Sequence, residues 1–345
     1  MTVKKLHLIS KWLPLFLAGL FTTIAFTSCK KNSGTSSIDG DWKRVSEFDG
    51  NVRSEAVTFT INDTVYVGGG YDGTNRLSDF WYLNKTGNYW KPIANFPGTP
   101  RSSAVAFSIN GKGYVGTGVD DNGNMLNDFW EFDPAKNTWT RKADFAGTPR
   151  YGSVGFAING EGYIATGYDG TYLKDLWQYN PASDSWTQKA SLGGSKRSDA
   201  VEFNYQNKAY VVTGVNNGSY LNDFWVYDPS NDTWTAMRNI TNVSTDSYDD
   251  LYTSITRSNA MIFCTGDTAE LTCGNSNGVI GTTWEYDIAN DQWNQKTTFE
   301  GTARQGGVAF TSNGSGYIMG GNNSSNYFDD VWQFIPNIAA DPNDN

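Results

Sequence analysis

The chain repeats itself six times, and this limits its fold more than any other feature. Arg53, Arg101, Arg150, Arg197, Arg257 and Arg304 each open a similar stretch, at spacings of 48, 49, 47, 60 and 47 residues. One unit reads Arg101-Ser-Ser-Ala-Val-Ala-Phe, then Gly113-Tyr-Val-Gly-Thr-Gly, then Asn127-Asp-Phe-Trp-Glu-Phe-Asp-Pro, then Thr138-Trp-Thr. Every unit holds four short runs of β-branched and aromatic residues divided by turn signals. Asn110-Gly111, Asn159-Gly160 and Asn313-Gly314 fall between the first two runs, where a tight hairpin needs positive φ. Asp133-Pro134, Asn180-Pro181 and Asp228-Pro229 open the loop before the fourth run, with proline presetting φ for a type I turn. Each unit is predicted to be a four-stranded antiparallel meander.

The tryptophans set the register. Trp81/Trp90, Trp130/Trp139, Trp177/Trp186, Trp225/Trp234 and Trp284/Trp293 are each nine residues apart, across the third hairpin. The sixth unit has Trp332 and then ends without a partner. Trp42 lies 11 residues before Arg53, the spacing of Trp90 to Arg101 and of Trp139 to Arg150. Residues 41–48 are therefore expected to supply the outer strand of the last unit, so that the chain's beginning closes the ring. This reads as one all-β, six-bladed β-propeller over residues 41–336 rather than two domains, although periodicity alone admits other repeat architectures. Burial of the aromatic ladder between blades accounts for most of the tryptophans.

The run Arg-x-x-Ala-Val, then Tyr66-Val-Gly-Gly-Gly-Tyr-Asp-Gly73, then a tryptophan nine residues after an aromatic, resembles kelch repeats over residues 41 to about 335. That resemblance implies a β-propeller whose usual binding surface is the face carrying the blade-to-blade loops. It also implies that arginines at this motif position can line that face, which here means Arg53, Arg101, Arg150, Arg197, Arg257 and Arg304. The expectation is a ring of six positive charges around the mouth of a central channel.

A competing reading comes from Asp79, Asp128, Asp175, Asp223 and Asp330, each two residues before the first Trp of its unit. Such recurrence suggests ion pairs that hold the loops in place. Unit five has Thr282 instead, which makes Arg257 the leading candidate for ligand contact. The same unit is preceded by a 12-residue insertion around residues 239–256, carrying Tyr248, Asp249, Asp250 and Tyr252. Tyr71, Tyr168, Tyr172, Tyr220 and Tyr327, in second-to-third loops, and Tyr151 beside Arg150 add aromatic platforms suited to a carbohydrate or peptide. Cys264 and Cys273 fall several pairs out of register in their hairpin, so a disulfide is not expected. The stretch Asp120-Asp121-Asn122-Gly123-Asn124 has a partly calcium-like look but lacks a downstream bidentate Glu, which favours a plain turn.

Lys4, Lys5 and Lys11, the apolar run from Trp12 to Phe26 and the small residues before Cys29 read as a secretory signal over residues 1–28. Phe26-Thr27-Ser28-Cys29 resembles a relaxed lipobox of bacterial lipoproteins, which implies lipidation of Cys29 and a tether over residues 29–40. The expected location is then the bacterial cell envelope, periplasm or outer membrane, with the lipid as the sole membrane contact. A disordered tail is expected over residues 337–345. Removing the signal takes the net charge from −10 to −13, which argues against a nucleic-acid partner. It also removes His7, the one histidine, and with it His-based triads and His-ligated zinc or copper.

Two functions follow. The first is a monomeric binding module, without cofactor or metal, for a glycan or protein ligand. The second is a carbohydrate-active enzyme, since kelch-like propellers include copper-radical sugar oxidases and a sialic-acid mutarotase. The oxidase needs copper-binding histidines, whereas a mutarotase (epimerase) reading would rest on Asp72 and Arg76.

Overall fold

Alternation of side chains along each first run dictates the architecture. Val105, Phe107 and Ile109 are buried between blades, while Ala106 and Ser108 point the other way, toward a central channel. The computed structural model describes residues 38–84, 88–341 and 343. Within them lie six four-stranded antiparallel sheets, five each formed within one repeat, the fourth blade carrying a separate two-stranded ribbon, Val215–Asn216 with Ser219–Tyr220, between its second and third strands. The sixth combines Val308–Ser312, Ser315–Met319 and Asp330–Ile335 with the chain's first strand, Asp41–Glu47. Trp42 pairs with Phe334, as Trp139 does with Phe132 and Trp186 with Tyr179. The N-terminal strand thus stands in register as the missing fourth strand. Among the described residues no helix is long and apolar enough to cross a membrane.

The tryptophan ladder lies between blades. Trp139 of the second blade packs edge-on against Phe80 of the first, at 4.9 Å between centroids, and its indole Nε1–H donates to Ala94 O. Trp186 repeats this with Phe129 and Ala143 O, and Trp42 donates likewise to Thr297 O of blade five. Trp42, Trp139, Trp186 and Trp234 thus stitch their blades to the preceding ones by an indole hydrogen bond, while Trp90 and Trp293 do so by ring packing alone.

The predicted signal, Cys29 and most of the tether lie outside the described residues. Lys296 Nζ meets Asp39 Oδ1 at 2.6 Å, and Gly40 N–H donates to Ile338 O. Asp341 N–H donates to Asp41 Oδ1, so residues on both sides of 41–336 engage the ring.

Candidate functional site

The six arginines do not present charge at the channel mouth. All are at most 2% exposed. Each donates from Nε to the carbonyl two residues earlier and from Nη1 to the carbonyl 16 residues later, as Arg101 does to Thr99 O and Thr117 O. In four blades the guanidinium then grips the aspartate of its own repeat through both oxygens: Arg53–Asp79, Arg101–Asp128, Arg150–Asp175 and Arg304–Asp330. The same carboxylates accept the indole N–H of Trp81, Trp130, Trp177 and Trp332. Burial pushes Asp79, Asp128 and Asp330 upward, but the hydrogen bonds and charge of their arginines outweigh it and hold them below the usual carboxylate range. The expected ring of exposed positive charge is thus corrected: a buried guanidinium needs its counter-ion and carbonyls around it, and here they build the loop frame.

Blades four and five depart from this pattern. Arg197 reaches Asp223 through one carboxylate oxygen, and Asp223 Oδ1 is buried without a partner. Arg257 has no carboxylate at all. Its five N–H groups go to the carbonyls of Ile255, Cys273, Thr282 and Ser254 and to Thr282 Oγ1. Desolvation pulls its pKa down to about 10. With every donor used, Arg257 has none to offer a ligand, contrary to its rank in the sequence reading. The Asp-to-Thr exchange also leaves the buried Trp284 indole N–H unpartnered. The insertion is largely a packing device. Tyr252 and Ile255 are buried, Tyr252 Oη accepts from Trp293 N–H, and Asp249 caps the N–H groups of Val243 and Ser244.

The tyrosines fall into three groups. Tyr151, Tyr168 and Tyr172 form a half-buried cluster on blade three, with centroids 5.6 and 5.1 Å apart. Tyr71 and Tyr327 meet edge-on between blades one and six, with the Arg76 guanidinium 5.5 Å from the Tyr71 ring. Tyr220 spans blades four and five, donating to Asn275 Oδ1 and accepting from Asn277 N–H. Asp72 and Arg76 do not form a pair. Asp72 Oδ1 caps Thr74 and Asn75 N–H, and Arg76 reaches Asp121 of blade two. The Asp120 carboxylate closes its own turn by accepting from Asn122 and Asn124. Cys264 and Cys273 are free thiols, with Cys264 opposite Ala269 in the hairpin.

The mouth itself is built by residues that the sequence reading passed over, two positions after each arginine. Ser103 N–H donates to Glu55 O, Gly152 to Ser103, Asp199 to Gly152, Asn259 to Asp199, Gly306 to Asn259 and Glu55 to Gly306. These six bonds, 2.6–3.0 Å long, close a circle around the channel. All six residues have φ between 50° and 64°, the left-handed region, where Glu55 and Ser103 are held only because the circle fixes them. Gly, Asn and Asp at four of the six positions were the available signal.

A family model described as "KLHDC2/KLHL20/DRC7 Kelch-repeats domain" matches residues 40–200, and a second, "Kelch motif", matches residues 204–240. The chain belongs to the kelch-repeat β-propellers. Among many solved chains that match, "Structure of YjhT" is similar to this kelch propeller with a TM-score of 0.69 at 19% identity. The likeness covers 83% of this chain and 95% of that one, and at this identity it concerns the fold. No curated protein sequence matches. A kelch propeller supports a binding or protein-interaction module in general terms.

Proposed function

We propose that this kelch propeller is a non-catalytic binding module of the bacterial cell envelope, held there through Cys29, and that it takes a glycan on its tyrosine-bearing face. The observation that carries the ligand class is the pair of half-exposed aromatic clusters, Tyr151/Tyr168/Tyr172 and Tyr71/Tyr327, on loops of one face. Sugar rings stack on such platforms through their C–H faces, while neighbouring carboxylates and amides take the hydroxyls. Asp169 stands beside the first cluster, accepting from Thr148 Oγ1 and Thr171 Oγ1. The face is rigid, because buried Arg–Asp pairs pin the loops that carry it.

A thermal-shift screen of neutral and acidic oligosaccharides tests the ligand. A sugar at about 100 times its Kd stabilises the fold by about 2.7 kcal/mol. Tyr168→Ala and Tyr172→Ala are expected to remove that shift while leaving the unliganded melting point within a few degrees. A screen without any shift, alongside a protein partner whose capture Tyr168→Ala abolishes, would replace the glycan by a polypeptide. Anchoring is tested by detergent partition: the wild type is expected in the detergent phase and Cys29→Ser in the aqueous phase. Equal partition of the two would refute lipidation.

A further inference from the structure

The channel below the mouth is a distinct feature with its own chemistry. Its neck is lined by Ala56, Ala104, Ser153, Ala200, Ala260 and Gly307, three positions after each arginine. The next inward-facing layer, two positions deeper, holds Thr58, Ala106, Gly155, Ile262 and Ala309 in five blades and Glu202 in the fourth. Glu202 lines both the cavity of about 240 Å³ under the neck and the wider one of about 470 Å³ beyond it. Glu202 is half-buried in the channel wall, and its Oε2 is buried with no hydrogen-bond partner. Thr58 Oγ1, on the diametrically opposite blade, is likewise buried and unpartnered. At the rim stand Glu55 and Asp199. Among the described residues lining the mouth and both cavities there is no lysine and no arginine.

From this arrangement we propose that the central channel is a binding site for a primary alkylammonium group, which enters past Glu55 and Asp199 and seats its charge against Glu202. The class follows from the walls. The small side chains of the neck, four of them alanines, leave room for a narrow alkyl stem, and one carboxylate in the layer beneath suits a single positive charge with N–H donors. The Thr58 hydroxyl is a further unpartnered polar group on the opposite wall of the same channel. A divalent ion is a poorer match, because no three carboxylate, Cys or His side chains converge there among the described residues. The site is separate from the tyrosine clusters, so it stands whether or not a glycan binds above it.

Binding should carry a proton signature. Burial pushes the Glu202 carboxyl up to about 8, so without a cation beside it the group is mainly protonated at neutral pH. An adjacent ammonium favours the carboxylate, and seating it releases the proton. The other titratable groups facing the channel are Glu55 and Asp199 above, with Asp199 raised to about 6 by burial, and Asp63 and Cys264 below.

The test is isothermal titration of the intact mature protein at pH 7 with n-butylammonium, its neutral isostere 1-butanol, and a glycyl-lysyl-glycine peptide blocked at both ends. Expected are binding of butylammonium but not butanol, release of up to one proton judged from buffers of different ionisation enthalpy, and at least a tenfold loss in Glu202→Gln. That variant keeps the shape of the side chain, and its melting curve reports its folding. Equal binding of amine and alcohol, no binding of any amine, or unchanged binding in folded Glu202→Gln would overturn the proposal. Lysine-peptide binding as tight as that of butylammonium supports a polypeptide source for the cation. Binding of butylammonium alone supports a small amine.

Discussion

A chain lacking residues 41–48 is expected to show no cooperative thermal transition. Trp42 is fully buried, with its ring 4.9 Å from Phe334 and 5.2 Å from Phe299. Truncating a buried tryptophan alone costs about 3–5 kcal/mol, against a total of about 5–15 kcal/mol for an ordinary domain. The deletion goes further. It removes the entire strand paired with Asp330–Ile335, opens that strand's edge to other chains, and takes away Phe48, which lies between Trp81 and Trp90 of blade one. Calorimetry checks this. Trp42→Ala should melt cooperatively at a lower temperature, whereas the deletion should give a broad, aggregating trace. A sharp transition at the wild-type temperature in the deleted chain would rule out closure by this strand.

The second large effect is expected from Asp128→Ala, at about 3–5 kcal/mol in urea denaturation, because it strands the buried Arg101 without its counter-ion. It also orphans the Trp130 indole N–H. The double variant Arg101→Met/Asp128→Ala should recover much of the loss, since a buried charge is then no longer left alone. The sign with pH follows from the depressed carboxyls. Asp79, Asp128 and Asp330 titrate lower in the folded state than in the unfolded chain, so their stabilisation is fully present above about pH 4. It disappears as pH falls through their folded values, and Asp128→Ala should flatten that acid limb. The converse change, Thr282→Asp, gives Arg257 and Trp284 the carboxylate their blade lacks and should gain about 1–2 kcal/mol. A Thr282→Asp protein no more stable than wild type would show that the Ser254–Arg257 loop already fills that place.

Much of the ring was legible because its signals repeat. A tryptophan 11 residues before Arg53 announced the closing strand, and an aspartate two residues before five of the six first tryptophans announced the ion pairs. What spacing cannot reveal is whether a repeated arginine faces water or its own aspartate. That is decided by burial, and four bidentate pairs settle it for the interior. Blade five was singled out for Thr282 in place of the aspartate, and Arg257 does lack a carboxylate; it is not left free, because backbone carbonyls at Ser254, Ile255, Cys273 and Thr282 take that place. Carbonyls carry no side-chain signature. Glu202 was legible in principle, as the one charged residue at a position otherwise filled by Thr, Ala, Gly or Ile. Seeing it requires superposing the six repeats and knowing which parity of the inner strand faces the axis.

The circle of hydrogen bonds at the mouth has an electrical consequence. Each peptide unit in it carries a dipole of about 3.5 D, and all six bonds run the same way around. Tangential dipoles of this kind largely cancel across the diameter, so the circle has no positive or negative end. It differs in this from a helix terminus, whose aligned amides attract an anion along the axis. The backbone at this entrance therefore does little to favour either sign of charge, and the choice falls to the few side chains it carries, Glu55 and Asp199 among them.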